Sequence, residues 1–320
     1  MLHRRSLVAA ALALSAAGAF PQVNSYPDKP IRLVLPFAPG GPSDVIARLI
    51  ANKLGENIKQ TVVPVNAPGA GGQIASQQVA AAAPDGYTLF YANQSTLNIA
   101  PQVMHRPRPD FVAVAPVLSF ALVLAANSSA VPAKNVKELV QELKAKPGSL
   151  SFASPGVGTT PHLIGEMFQR EAGVKMIHVA YKGAAPAVQD LVAGHVQLFF
   201  DQLFMLDPHF KDGKLRPLVT TSPTRLPGLP DVPTATEIGL PQLTLQSWSG
   251  MVAPAGTPPE IVAYLNREFN KVLDQPEIRE AIVSRGLEPM KGTPESFAKT
   301  IHDDYPRWTA LIKSANIVAQ

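Results

Sequence analysis

Cysteine is absent from the 320-residue chain. No disulfide framework, thiolate metal site or cysteine nucleophile is therefore available, and the fold must be held by its core alone. Runs of Lys and Arg are absent too, which leaves no footprint for nucleic acid or for an anionic membrane surface. The histidines, among them His162, His178, His195, His209 and His302, lack the spacing that sets two imidazoles on one helical face. They read as structural or exposed, and neither a metal nor a cofactor is expected. No serine stands in a Gly-x-Ser-x-Gly elbow, which counts against the exported hydrolase that is the rival reading from the enzyme class. Neither the glycine spacing of the dinucleotide fingerprint nor a phosphate loop ending in Gly-Lys-Ser/Thr occurs, so nucleotide is disfavoured.

Long apolar runs are also missing. The one near the start, Leu7 to Ala17, follows His3, Arg4 and Arg5 and precedes Ala17-Gly18-Ala19. That order is a secretory signal peptide over 1–19 with cleavage after Ala19, and the run is too short for a permanent membrane anchor. Arg4-Arg5 before Ser6-Leu7 also resembles a twin-arginine signal, but general secretion is expected. Loss of Arg4 and Arg5 leaves 26 basic against 24 acidic residues, a formal charge of +2. Such a faint positive balance suits an anionic ligand. About 300 mature residues suggest two domains.

What the chain does have is a repeated strand–loop–helix unit. The apolar run Ile31 to Leu35 leads through Pro36-Phe37-Ala38-Pro39-Gly40-Gly41-Pro42-Ser43-Asp44 into a helical pattern at Val45, Ile46, Leu49, Ile50 and Leu54. Glycines let a backbone approach a ligand, and a helix start offers unpaired N–H groups and a positive dipole end. The loop reads either as an anion-binding corner or as an ordinary turn. Strands follow at 61–65 and 87–91, the latter ending in Asn93-Gln94-Ser95-Thr96, then at 111–117 and 121–125. Such alternation predicts a parallel sheet covered by helices, with ligands at the carboxyl ends of the strands.

A fresh series then begins. Asn135 and Glu138 form a capping box, and Leu150 to Ala153 leads into Ser154-Pro155-Gly156-Val157-Gly158-Thr159-Thr160-Pro161, a second loop that mirrors the first. Ser154 and Thr159 are either donors to an anion or simple helix caps. Val196 to Phe200 ends at Asp201, a carboxylate placed to read a ligand amine or hydroxyl, or equally to cap the segment from Gln202. The proline-rich stretch 223–233 reads as a surface connector. Thr257, with Pro258, Pro259 and Glu260 behind it, reads as the cap of a returning helix. Further helices after Pro276 and Pro294 end the chain, with Trp308 packing them down.

These segments carry a resemblance. Pro36-Phe37-Ala38-Pro39-Gly40-Gly41 with Asp44 and Ala47-Arg48, Asn66-Ala67-Pro68-Gly69-Ala70-Gly71-Gly72, Ala83-Pro84-Asp85-Gly86-Tyr87-Thr88, Ser154-Pro155-Gly156-Val157-Gly158-Thr159, Tyr181-Lys182-Gly183 and Asp231-Val232-Pro233-Thr234 with Glu237 follow in order, as do Gly250, Pro254-Ala255-Gly256-Thr257-Pro258, Gly286, Thr293-Pro294-Glu295 and Trp308. Together they span the mature chain, which resembles the tripartite tricarboxylate receptor family, the extracytoplasmic solute-binding proteins also called Bug proteins. Two departures stand out: Ala67 replaces the family's usual arginine, and Met104 to Asp110 is shorter than usual.

The resemblance implies an α/β periplasmic binding protein of type II, a two-lobed Venus flytrap in which each lobe is a mostly parallel sheet flanked by helices. Lobe 1 would comprise 20–124 and 247–320, and lobe 2 residues 125–246. It implies a periplasmic monomer, not an enzyme, that captures a small organic acid for membrane permease subunits of a tripartite tricarboxylate transporter. A sensor kinase is the alternative partner. Carried over, the ligand contacts are Phe37, Ala38 and Gly40 with Ser95 and Thr96 in lobe 1, and Ser154, Gly158, Thr159, Thr160 and Asp201 in lobe 2. Asp44 is expected to support its helix, and Tyr181 to belong to the core more than to the cleft.

Overall fold

The computed structural model describes residues 26–315. The leader expected over 1–19 lies outside them. In chain order come β1 (Ile31–Leu35), α1 (Pro42–Ile58), β2 (Val62–Asn66), α2 (Gln73–Ala80), β3 (Thr88–Asn93), α3 (Ala100–Val103), β4 (Phe111–Phe120), β5 (Val123–Asn127), α4 (Val136–Ala145), β6 (Ser151–Ser154), α5 (Thr160–Ala172), β7 (Ile177–Ala180), α6 (Ala184–Ala193), β8 (Leu198–Asp201), α7 (Leu203–Lys211), β9 (Leu215–Thr220), β10 (Ser247–Pro254), α8 (Pro259–Asp274), α9 (Pro276–Val283), β11 (Glu288–Pro289) and α10 (Pro294–Ala315). A π-helical turn, Ser95–Ile99, joins β3 to α3.

Two sheets result, ordered β11-β4-β10-β3-β1-β2 and β7-β6-β8-β5-β9. Both are mixed. β1 pairs in parallel with β2 and β3, and β6 with β7 and β8, as the strand–helix alternation predicts. β10, however, runs antiparallel to β3 and β4, and β5 antiparallel to β8 and β9. The reason is connectivity: β5 and β10 are the strands by which the chain crosses between lobes. Each enters its sheet from the other lobe and not from a crossover helix on its own face.

β1 is buried at four of five positions because helices cover both its faces, so no alternation is visible in its sequence. α1 turns Ile46, Ala47, Ile50, Ala51, Leu54 and Ile58 onto that sheet. The Asn135 box forms: its Oδ1 accepts from Glu138 N–H at 2.9 Å, while Glu138 Oε2 accepts from Lys134 N–H at 2.8 Å. Thr257 does not cap α8. Its hydroxyl donates to Pro254 O, and Pro258, already set at a helix-entry φ, takes the cap position.

Thr221, fully buried, clips the two crossings together. Its hydroxyl accepts from Leu122 N–H and donates to Leu245 O, both at 2.9 Å, while its backbone bonds Leu122 O and Leu245 N. α10 touches both cores. Phe297 packs edge-on against Trp248 among first-sheet residues, whereas Trp308 and Ile312 sit with Leu163, Leu198 and Phe200 beneath the second sheet. Phe297 fills the space above Gly250, where even a Cβ would meet its ring at 2.3 Å. Phe297→Ala is expected to cost about 3–5 kcal/mol, read as a fall in urea-unfolding free energy.

Candidate functional site

The site lies where α1 and α5 both begin. Gly41, Pro42 and Ser43 at the start of α1 and Thr159, Thr160 and Pro161 at the start of α5 line one cavity of about 660 Å³, part of it open to solvent. Two helix N-termini thus face a common space, and the Ser43 and Asp44 N–H groups belong to a first turn that has no intrahelical acceptors. The remaining wall is largely apolar, with Phe37, Tyr91, Leu118, Phe120, Leu122 and Trp248. Among the described residues no Lys, Arg or His lines it, and Asp201 is the only acidic side chain that does.

Five of the ten residues expected in the site line the cavity: Phe37, Ser95, Thr159, Thr160 and Asp201. The other five do not line it, and their polar groups are engaged elsewhere. Ala38 N–H donates across the lobes to Lys182 O at 3.0 Å, and Gly40 N–H donates to Asp44 Oδ2 at 3.0 Å. The Thr96 hydroxyl is held in a turn with the Asn93 backbone, and Ser154 Oγ lies 2.7 Å from His178 Nε2. Gly158 N–H donates to His162 Nδ1 at 3.2 Å. Thr159 occupies the cap position of α5, but its hydroxyl turns back to Gly156 O at 2.7 Å, and the first N–H of the helix, that of Thr160, is met by Ser95 Oγ from the other lobe.

Asp44 does what a first-turn acid should, and more. It accepts from Gly40 N–H, Arg48 Nε and Asn66 Nδ2, and Asn66 Nδ2 also donates to Phe37 O, so one carboxylate fixes the whole first loop. Those bonds overcome the effect of burial and hold its carboxyl below the usual range. Tyr181 is not a wall of the cleft; its hydroxyl donates to Asp190 Oδ2 at 2.8 Å.

Asp201 is 2 % exposed and its Oδ2 has no partner. Burial pushes its carboxyl up to about 7, against the opposing bond from Gln202 N–H. A group so placed has an unmet need for a donor. Gln202, not Asp201, holds the cap position of α7.

Sequence reasoning missed Ser43, Gln94, Ser247 and Ser249. The last two flank Trp248 on β10, a polar alternation within an otherwise apolar strand that was the available signal. The lobes meet around the cavity at backbone distance. Thr160 N–H donates to Ser95 Oγ at 2.9 Å, and a Cβ on Gly158, whose φ is +76°, would lie 2.8 Å from Ala100 Cα. Gly71, at φ +59°, abuts Val157 O still more tightly.

Beneath the second loop His162 and His178 stack with ring centroids 4.0 Å apart. Burial, and for His162 the neighbouring His178, lowers them to about 3 and about 4 from 6.5. Neutral His162 Nδ1 is thereby free to accept from Gly158. Glu166, 3.8 Å from His162 Nε2, is raised by burial and acts in the opposite sense. Below pH 6.5 the unfolded chain takes up imidazole protons that the folded chain refuses. The melting temperature is therefore expected to fall as pH drops through this window, and His162→Gln with His178→Gln to flatten the profile. A second expectation concerns closure. Gly158→Ala should fold yet hold the lobes apart, read by small-angle scattering as an increased radius of gyration.

The tripartite tricarboxylate transporter family receptor profile matches residues 46–317. Periplasmic binding protein BugD superposes with a TM-score of 0.86 at 34% identity, over 92% of this chain and 100% of that one. An R. palustris protein solved with adipate gives 0.87 at 32%, over 92% and 99%, and MatC from Rhodopseudomonas palustris with bound malate gives 0.85 at 32%, over 90% and 100%. Among the described residues no helix is long and apolar enough to cross a membrane. With its two mixed sheets joined by two crossing strands and a cavity between them, the chain belongs to the tripartite tricarboxylate transporter receptor family, periplasmic solute-binding proteins and not enzymes.

Proposed function

We propose that the protein captures a small organic acid in the cavity between its lobes, divided near residues 124 and 247, and delivers it to the permease of a tripartite tricarboxylate-type transporter after export through a cleaved signal peptide. The observation that carries this reading is the pair of helix N-termini converging on a space without Lys or Arg. Helix dipoles and N–H groups stabilise a buried anion without the added cost of desolvating a cationic side chain. Two similar proteins were solved with the dicarboxylates adipate and malate, which supports the acid class.

The polarity of the cavity orients the ligand. A carboxylate belongs at the start of α1, where the Ser43 and Asp44 N–H groups lack intrahelical acceptors, facing the start of α5, whose Thr159 and Thr160 line the same wall as Phe37 and Ser95. Ala38, Gly40, Thr96, Ser154 and Gly158 then act by holding the two loops in shape. Asp201, with an oxygen lacking a donor, suits a hydroxyl, an amine or a protonated second carboxyl. The apolar wall between them suits a short hydrocarbon segment.

A thermal-shift screen of mono-, di- and tricarboxylates, hydroxy acids, acidic amino acids and their amides tests this. An acid present at a hundred times its dissociation constant should add about 2.7 kcal/mol to stability and raise the melting temperature, while its amide should not. Thr159→Val is expected to reduce that shift. Equal shifts from acid and amide would refute the carboxylate assignment.

A further inference from the structure

One carboxylate oxygen outside the cavity collects four N–H groups. Asp304 Oδ2, partly buried on α10, accepts from Gln94 Nε2 at 2.9 Å, Trp308 Nε1 at 3.0 Å, Asn98 Nδ2 at 3.1 Å and Trp248 Nε1 at 3.3 Å. Gln94 and Trp248 line the cavity, Asn98 lies in the π turn behind it, and Trp308 belongs to the core of the second lobe. These are the only two tryptophans in the chain.

An ionised carboxylate only accepts, so the amide of Gln94 must present its NH₂ to Asp304 and its oxygen to the opposite side. There Gln94 Oε1 accepts from Ser247 Oγ at 3.0 Å and from Thr160 Oγ1 at 3.4 Å. Thr160 Oγ1 lies 3.1 Å from Ser95 Oγ, which accepts from Thr160 N–H. The negative charge of Asp304 fixes which face of the Gln94 amide meets Ser247 and Thr160, and the Ser95 hydroxyl completes the chain beside Thr160. Because Thr160 starts α5 in one lobe and Gln94 and Ser95 follow β3 in the other, the same chain joins the lobes.

We propose that Asp304 is a positioning residue for the solute site: it sets the Gln94 amide, and through it turns the hydroxyls of Ser247 and Thr160, with Ser95 beside them, into the wall, so that the cavity is fixed in shape before the ligand enters. This rests on the reading of the cavity as an acid-binding site. Asp304 touches no ligand. It acts by removing the choice of amide and hydroxyl orientations that would otherwise be lost on binding, which is preorganisation. Asn98 is fixed in the same manner, its Nδ2 also donating to Ile301 O at 2.8 Å, so the π turn that carries Ser95 is pinned to α10.

The test uses the full mature chain, labelled with ¹⁵N. In Asp304→Asn both indole N–H protons and the Gln94 side-chain NH₂ are expected to move upfield as bonds to a charged acceptor become bonds to a neutral one. Unmoved resonances overturn the proposal. Binding of succinate, glutarate and adipate is then measured by calorimetry for wild type, Asp304→Asn, Gln94→Met and the double variant. Each single change should weaken the bound acid about tenfold or more, and the double variant should be no weaker than Gln94→Met, the non-additivity of two residues acting in series. Additive losses, or wild-type affinity in Asp304→Asn, overturn it. If Asp304→Asn does not fold, Gln94→Met carries the test, since it leaves the other three bonds of Asp304 in place. It is expected to lose about tenfold in affinity with both indole resonances unmoved, and wild-type affinity refutes the link. If wild type binds none of the three acids, those three are excluded as its solute, and the resonances alone decide the role of Asp304.

Discussion

A seam of backbone against backbone is the constraint on which this structure depends. Ala38 N–H bonds Lys182 O, Gly71 lies against Val157 O, and Gly158 lies against Ala100, so segments of the two lobes approach at backbone distance. The two glycine contacts demand residues without a Cβ, both at positive φ, and the seam demands that the loops on either side not shift. The Asp44 network supplies the second requirement on one side. The Ser154, His178 and His162 arrangement supplies it on the other.

Rigid loops explain why half of the residues expected to touch a ligand hold the loops in shape and do not line the cavity. The motif that includes Phe37, Ala38, Gly40 and Asp44 was legible as a strand-to-helix corner, because glycine, proline and the following apolar periodicity announce it. Which of its N–H groups face inward was not legible, since that depends on Asp44 and Asn66, residues separated by 22 positions that share a hydrogen bond. The parallel pairing of β1 with β2 and β3 and of β6 with β7 and β8 followed from local alternation. The antiparallel placement of β5 and β10 did not, because nothing within either strand records which lobe the chain has come from. The capping box at Asn135 was readable as a local pattern. The hub at Asp304 was invisible, because its four partners come from β10, the turn after β3 and α10, and in sequence it is one acid in a polar helix face.

Charge is handled at this site by distance. Among the described residues the cavity carries no cationic side chain, while Asp304 sits one residue away from it behind Gln94 and Trp248. Its charge is met by the Gln94 amide and the Trp248 indole before it reaches the cavity, and the hydroxyl groups beyond Gln94 take their orientation from that amide. Asp201 is the exception, a carboxyl inside the wall, and burial keeps it near its midpoint at neutral pH.

The passage of α10 from one core to the other limits how the lobes are able to move. Counting the two strands clipped by Thr221, the lobes are joined by three struts, and a body held at three neighbouring points swings about them but does not slide or twist freely. Pro306 lies in α10 between Phe297, seated in the first core, and Trp308, seated in the second. A proline there removes one backbone bond from the helix at the place where the strut leaves one lobe for the other. The third strut is thus built with its compliance at mid-span, as a flexure is cut into a stiff beam.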